Sequence, residues 1–177
     1  MRKPIFNLPP PIIIDIEASG FGADSYPIEV GVIMQDGDRY CRLIKPQPGW
    51  QHWDEKAQAL HGIERDLLVN KGTSAHQVAM ELNSLLAGKT VYSDGWVVDS
   101  PWLIKLHHDT QIAMQYRISS LEMILSEAQM QIWHHTRSSL QDNSTLPRHR
   151  ASTDASIIQH TYMATRNLTV DPTHLIT

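Results

Sequence analysis

Two acidic residues near the start of the chain have types and spacing suited to binding a metal ion. Asp15 and Glu17 close the segment PIIIDIE over residues 11–17, whose isoleucines are typical of a buried strand. Residues two apart on a strand point to the same face, so the two carboxylates would repel each other unless a cation neutralised them. Hard divalent cations prefer oxygen ligands of this kind. The pair therefore predicts a divalent metal site at the end of a strand.

A third acidic ligand is expected from the stretch DGWVVDSPWL, which contains both Asp94 and Asp99. Asp94 would end a short strand. Asp99 would lie at the start of a helix that has apolar residues behind it, and a carboxylate there is well placed near the edge of a sheet. We therefore favour Asp99 as the ligand and interpret Asp94 as an ordinary turn aspartate.

A histidine and an aspartate near the end of the chain supply the remaining candidates. The stretch HRASTDA places His149 directly after the polar, turn-rich segment 142–148 and Asp154 in the first turns of the last predicted helix. The mobile segment that we expect before His149 suits a base that must move toward a substrate. Ala151 and Ala155 are small and would let the helix that carries Asp154 lie close to a strand.

The elements that must position these residues alternate between strand and helix patterns. Strands are predicted over residues 11–17, 27–35, 39–45, 89–93 and 116–119. Helices are predicted over residues 54–60, 64–71, from a cap at Ser74 to a stop at Gly88, from a first turn that contains Pro101, over 121–135 and over 151–166. Three strands come first, the second and third joined by the turn Asp36-Gly37-Asp38. This order predicts one α/β domain with a mixed sheet.

Composition narrows the class of protein further. The chain has 177 residues, 41% of them hydrophobic, and a net charge of −4, which excludes a generally basic nucleic-acid coat but leaves room for a local basic groove. Cys41 is the single cysteine, so the chain has no intrachain disulfide and no cysteine-based zinc site. No apolar run approaches the roughly 20 residues of a membrane span, and prolines interrupt the basic start. We therefore expect no membrane association and a cytoplasmic protein.

Taken together, DIEASGF, DGWVVDSPWL and HRASTDA occur in the order of the three motifs of the DEDDh exonuclease family. The sequence resembles this family over about residues 11–165, with Asp94 at a position where an asparagine is usual. The resemblance implies a ribonuclease H-like fold, with a mixed five-stranded sheet flanked by helices. It also implies that residues 1–177 form a single exonuclease domain with a short N-terminal leader and a C-terminal tail.

The resemblance further implies a reaction and a set of catalytic residues. The protein would hydrolyse single-stranded RNA or DNA from the 3′ end and release nucleoside 5′-monophosphates. Two Mg²⁺ or Mn²⁺ ions would stabilise the attacking and leaving oxygens. Asp15 would bridge both ions, and Glu17, Asp99 and Asp154 would complete their ligand shells. His149 would take the proton of the attacking water.

Residues beside the first motif are expected to contact the substrate. Ser19 and the backbone of Ala18 and Gly20 would meet the 3′-terminal sugar. Phe21 would stack on or wedge the last bases, as would His61 in the segment LHGI, although each fits core or surface packing equally well. Members of the family often form dimers, so the resemblance also implies a homodimer.

Two other classes of function compete with an exonuclease. A catalytically silent nucleic-acid-binding or interaction module could use the same fold, but inactive relatives usually lose at least one of the five catalytic residue types, all present here. An endonuclease of the wider fold would lack the mobile histidine and the aspartate after it. Arg148 and Arg150 either neutralise phosphates or belong to a solvated turn, and the sequence leaves both interpretations open.

Overall fold

A six-stranded mixed sheet forms the centre of the fold in the computed structural model, which describes residues 8–142 and 149–169. The first three strands form an antiparallel meander, and the last two strands run parallel to the first. The strand order across the sheet is β4-β3-β2-β1-β5-β6. The strands are β1 (Ile13–Ala18), β2 (Pro27–Ile33), β3 (Arg39–Lys45), β4 (Thr73–Ser74), β5 (Thr90–Ser93) and β6 (Arg117–Ser120).

Helices cover both faces of the sheet because its central strands are apolar on both sides. The helices are α1 (Glu55–His61), α2 (Arg65–Lys71), α3 (Ala75–Leu86), α4 (Trp96–Asp109), α5 (Glu127–Asp142) and α6 (Ala151–Thr169), with a 3₁₀ turn at Leu121–Ile124. On one face, α3 and α4 pack on Ile14 and Ile16 of β1. On the other face, α5 and α6 pack on Ile13 of β1. Alternate residues of β1 therefore belong to two separate cores.

The predicted mixed α/β architecture is confirmed, but the predicted strand count is wrong by one. The strand that was not predicted is β4, in which Thr73 and Ser74 pair in parallel with the end of β3. Two residues are too few to produce an alternating pattern in a sequence. Ser74 also begins α3 as predicted, because its hydroxyl oxygen accepts a hydrogen bond from the amide of Gln77 at 3.2 Å.

Two helix boundaries differ from the prediction. Helix α4 starts at Trp96, so Pro101 lies inside the helix and not in its first turn. The amides of Val98 and Asp99 bond to the carbonyl of Gly95 and begin the helix early. The pattern over residues 121–135 resolves into the 3₁₀ turn and then α5, which runs on to Asp142.

Some sequence predictions fall on residues that the structure does not describe. The segment 143–148, which was expected to be mobile, lies outside the described residues, as do residues 1–7 of the leader and 170–177 of the tail. Within the described ranges, no helix has the length and apolar character needed to span a bilayer.

Candidate active site

The register between β1 and β2 places the first acidic residues. Asp15 lies opposite Gly31, and Glu17 lies opposite Glu29. Residues directly opposite each other in an antiparallel pair project to the same side of the sheet. Because Ile13 of the same strand packs against α6, the side chains of Asp15 and Glu17 are on the face that α6 covers.

Gly31 allows the start of α6 to approach the sheet unusually closely. A Cβ atom at Gly31 would lie 2.2 Å from the backbone nitrogen of Ser152, a separation that no side chain can occupy. Ala151 and Ala155 are fully buried at this contact, as their small size predicted. The close approach brings Asp154 to Asp15 and Glu17, and carboxylate oxygens of these three residues lie within 4.8 Å of one another.

Asp99 adds a fourth carboxylate from the first turn of α4. It is buried, and its Oδ2 atom accepts a short hydrogen bond from the hydroxyl of Ser93, the last residue of β5. Among the neighbouring charges, that of Asp99 raises the pKa of Asp15 the most. The end of β5 and the first turn of α4 thus place Asp99 close to Asp15 on β1.

The four carboxylates repel one another, which shows that the cluster suits a cation. Burial raises the pKa of Asp15 well above its usual range, and the charges of Asp99 and Glu17 raise it further. Burial and the charge of Asp154 raise the pKa of Glu17 to about 7. Burial raises the pKa of Asp99 to about 7 although the Ser93 hydrogen bond opposes the shift. A set of carboxylate oxygens alone fits hard divalent cations such as Mg²⁺ or Mn²⁺.

Asp94 lies beside the cluster but has a partner of its own. Its Oδ2 atom forms a short ion pair with the guanidinium of Arg137 on α5. Asp94 lines a pocket of about 240 Å³ with Trp133 and His134, whereas Asp99 lines the cleft that contains Asp15. The structure therefore separates the two aspartates: Asp99 faces the cluster, and Asp94 bonds Arg137 of a neighbouring helix.

His149 lies at the edge of the same cleft, with an exposed side chain. Its backbone has a φ of 56°, a left-handed conformation that is uncommon for residues other than glycine. Burial raises the pKa of Asp154, and the neighbouring His149 opposes this rise. The accessible imidazole of His149 therefore lies beside the acidic cluster.

Four of the five predicted substrate contacts line the cleft, and Ser19 does not. Ala18, Gly20, Phe21 and His61 line the cleft of about 290 Å³, where Phe21 is 66% exposed. Ser19 is 1% exposed, and its hydroxyl bonds the imidazole of His52 at 3.2 Å and accepts the amide of Tyr26 at 3.1 Å. The Ser19 hydroxyl is therefore engaged within the protein.

The protonation of His61 follows from its hydrogen bond. Its Nδ1 atom accepts the amide hydrogen of Ile63 at 3.0 Å, and burial lowers its pKa. A neutral imidazole whose Nδ1 is an acceptor carries its hydrogen on Nε2. Within the described residues, this Nε2 atom has no hydrogen-bond partner.

Several residues at the site were not singled out from the sequence. Leu60, Val98 and Trp102 also line the cleft. Ser93 and Glu29 touch residues of the site and are fully buried. A polar residue inside the apolar strand PIEVGVI was the available signal for Glu29, whereas serine before Asp94 gave no signal for Ser93.

The fold and the acidic cluster together define a class of structure. A mixed sheet that begins with an antiparallel meander and has helices on both faces is a ribonuclease H-like fold, here with acids on the central strand β1. No family model matches the sequence, and no curated protein matches it in sequence.

Solved structures of Exonuclease I from E. coli share this fold. The complex with a dA16 oligonucleotide has a TM-score of 0.63 and 12% sequence identity, and the match covers 89% of this chain and 41% of that protein. The zinc-bound complex with single-stranded DNA has a TM-score of 0.66 and 14% identity over 92% of this chain. A product-bound structure has a TM-score of 0.60 at 14% identity. The chain thus spans about 41% of the length of Exonuclease I.

Proposed function

We propose that this protein is a metal-dependent 3′→5′ exonuclease that removes nucleoside 5′-monophosphates from single-stranded nucleic acid. The observation that carries the proposal is the convergence of Asp15, Glu17 and Asp154 within 4.8 Å in a cleft that also contains Asp99 and His149. These five residues come from β1, α4, α6 and a position two residues before α6. Such convergence from distant parts of the sequence is typical of a catalytic centre.

The similar structures support single-stranded nucleic acid as the substrate class. Several structures of Exonuclease I contain single-stranded oligonucleotides, among them dA16 and dT13. These similar structures favour DNA. RNA is tested as well, because a similarity at low sequence identity does not transfer a preference for one sugar. The zinc-bound complex of Exonuclease I supports a divalent cation in the proposed reaction.

The four carboxylates would hold the cations, and the remaining residues would orient the reactants. When bound, Mg²⁺ or Mn²⁺ supplies positive charge for the attacking oxygen, the leaving oxygen and the phosphate. Asp15, Glu17, Asp99 and Asp154 provide the ligand oxygens. An imidazole nitrogen of His149 accepts the proton of the attacking water, because an unprotonated ring nitrogen is a proton acceptor.

The walls of the cleft would hold the terminal nucleotide. The exposed ring of Phe21 offers a flat apolar surface on which any base can stack. His61 contributes a neutral ring to the wall of the cleft. We propose that the backbone of Ala18 and Gly20 lies along the terminal sugar.

The proposal is tested with single-stranded DNA and RNA of one sequence, each labelled at the 5′ end. Each is incubated with Mg²⁺, Mn²⁺ or EDTA and with wild type, Asp15→Asn or Asp24→Asn. Asp24 is an exposed acid outside the cluster and serves as the matched control. We expect a ladder that shortens from the 3′ end with metal, no cleavage with EDTA or Asp15→Asn, and a normal ladder with Asp24→Asn.

Two outcomes would contradict the proposal. No cleavage of either substrate by folded protein in the presence of metal would favour the silent binding module. Internal fragments in place of a ladder would indicate an endonuclease. The extent of the domain over residues 1–177, a homodimer and a cytoplasmic location stay predictions that this assay does not address.

A further inference from the structure

Glu29 is a buried carboxylate that belongs to the neighbourhood of the acidic cluster but has its own set of partners. Its Oε1 and Oε2 atoms each accept the Nε hydrogen of Arg150 at 3.1 Å, and Oε1 also accepts from Nη2 of Arg150 at 2.5 Å. Oε2 accepts the backbone amide of Ala151 at 2.9 Å. Two consecutive residues are therefore bound to one carboxylate on β2, with the planar geometry that favours arginine over lysine.

These bonds hold the segment directly next to His149. Arg150 and Ala151 follow His149 directly in the chain, so their bonds to Glu29 anchor the backbone that carries the imidazole. The φ of 56° at His149 is strained for a residue with a side chain. Strained backbone persists where surrounding contacts determine it, and such contacts cluster at functional sites.

We propose that Glu29 and Arg150 are positioning residues that hold His149 beside the acidic cluster. The inference rests on the proposed function, in which His149 takes the proton of the attacking water. Because the side chain of His149 is exposed, its place at the cleft depends on the backbone that the Glu29 bonds hold. Arg150 thus acts within the protein, which differs from both roles that its sequence context suggested.

The proposal predicts that the effect of Glu29 on catalysis passes through His149. Cleavage is measured for wild type, Glu29→Gln, His149→Ala and the double variant at saturating metal. We expect Glu29→Gln to lower kcat by about 10- to 100-fold with KM nearly unchanged, as for residues that orient a catalytic group. In the His149→Ala background, the same substitution should lower kcat by no more than about threefold, because coupled residues are not additive.

Further variants keep the test decisive where Glu29→Gln fails to fold. Arg150→Lys keeps a cation beside Glu29 but loses the paired hydrogen bonds, so its kcat should lie between those of wild type and Arg150→Met. Glu81→Gln is the matched control because it breaks an ion pair of the same two residue types, Arg42 with Glu81, between β3 and α3. Its kcat should equal that of wild type.

Amide hydrogen exchange supplies a readout that does not depend on activity. The amides of His149 and Ala151 should exchange faster in Glu29→Gln and Arg150→Met than in wild type, and at an unchanged rate in Glu81→Gln. Unchanged exchange in the first two variants, or an equal loss of kcat with and without His149, would overturn the proposal. An inactive wild type would refute the proposed function, and the exchange rates would then decide alone whether Glu29 holds this segment.

Discussion

Glu17 and Glu29 face each other across β1 and β2, but their carboxylates have opposite electrostatic surroundings. Glu29 is fully buried and receives the guanidinium of Arg150 together with the amide of Ala151. Glu17 lies among acids, and burial and Asp154 raise its pKa to about 7. One glutamate is thus paired with an arginine of the chain, whereas the other lies among acids, in the setting that we propose for a cation ligand.

The groups that surround each carboxylate distinguish a structural acid from a functional one. A buried carboxylate with its own arginine stabilises the junction between α6 and the sheet. A carboxylate crowded by other acids destabilises the metal-free protein, and such a cost at a cleft indicates a ligand site.

Glu17→Gln should have the largest effect on activity. We expect cleavage to fall about 1,000-fold, because a charged ligand that stabilises the transition state is lost. The metal-free variant should also melt at a higher temperature than wild type near pH 8, because one of the repelling charges is gone. Rates and thermal melting of the variant, wild type and Asp24→Asn measure both effects. A lower melting temperature would mean that Glu17 is a structural acid like Glu29.

Gly31→Ala should separate α6 from both glutamates. The added Cβ would lie 2.2 Å from the backbone nitrogen of Ser152 and 2.3 Å from the carbonyl carbon of Ala151, so the helix must move. Overpacking against backbone should lower the free energy of unfolding by about 3 kcal/mol. Gly49→Ala is the control, because a Cβ there meets nothing within 4 Å. Equal denaturant midpoints for the two variants would show that the contact is not needed.

The stability of the metal-free protein should fall as pH rises. Burial raises the pKa of Glu17 and of Asp99 to about 7, from 4.5 and 3.8. A raised pKa means that the folded state binds these protons more tightly, so the stabilisation is complete below about pH 4 and is lost through about pH 7.

Thermal melting in EDTA near pH 5 and pH 8 measures this loss. We expect a decrease of about 5 °C, at roughly 2–4 °C per kcal/mol for a chain of this size. Added Mn²⁺ should raise the melting temperature more near pH 8 than near pH 5, because the ligands are then charged. A metal effect that is equal at both pH values would argue against binding by these carboxylates.

Ser93→Ala should have the smallest effect. The variant loses the hydroxyl that bonds Asp99, so the pKa of Asp99 should rise further above its usual value. We expect about 10-fold more metal to be needed for half-maximal cleavage, with a normal rate at saturating metal. Metal titration of the rate compares this variant with Ser84→Ala, an exposed serine on α3. Identical titrations would show that Ser93 does not tune Asp99.

Much of the architecture could be predicted from local patterns. The isoleucines before Asp15 indicated a buried strand, and the helix start at Ser74 was visible from its capping residue. The two-residue strand β4 and the early start of α4 depend on backbone hydrogen bonds that leave no periodic pattern. The predicted start of α4 was wrong because proline is common in the first turn of a helix, whereas Pro101 lies further inside α4.

The acidic residues of the site could be predicted from the sequence, whereas the roles of residues that act through contacts within the protein were harder to predict. Asp15 and Glu17 belong to the motif DIEASGF and Asp154 to the motif HRASTDA, and the structure brings their oxygens together. The bond between Glu29 and Arg150 joins residues 121 positions apart, so no local spacing could reveal it. The hydroxyl of Ser19 looked available in sequence, but two hydrogen bonds engage it within the protein.

Calorimetric titration with Mn²⁺ near pH 7.5 measures whether the acids around Glu17 form a cation site. The proteins compared are wild type, Glu17→Gln and Asp24→Asn, each without nucleic acid. We predict that wild type and Asp24→Asn bind Mn²⁺ with equal affinity and that Glu17→Gln binds at least about 10-fold more weakly. Absence of binding to wild type, or equal binding by Glu17→Gln, would contradict the account.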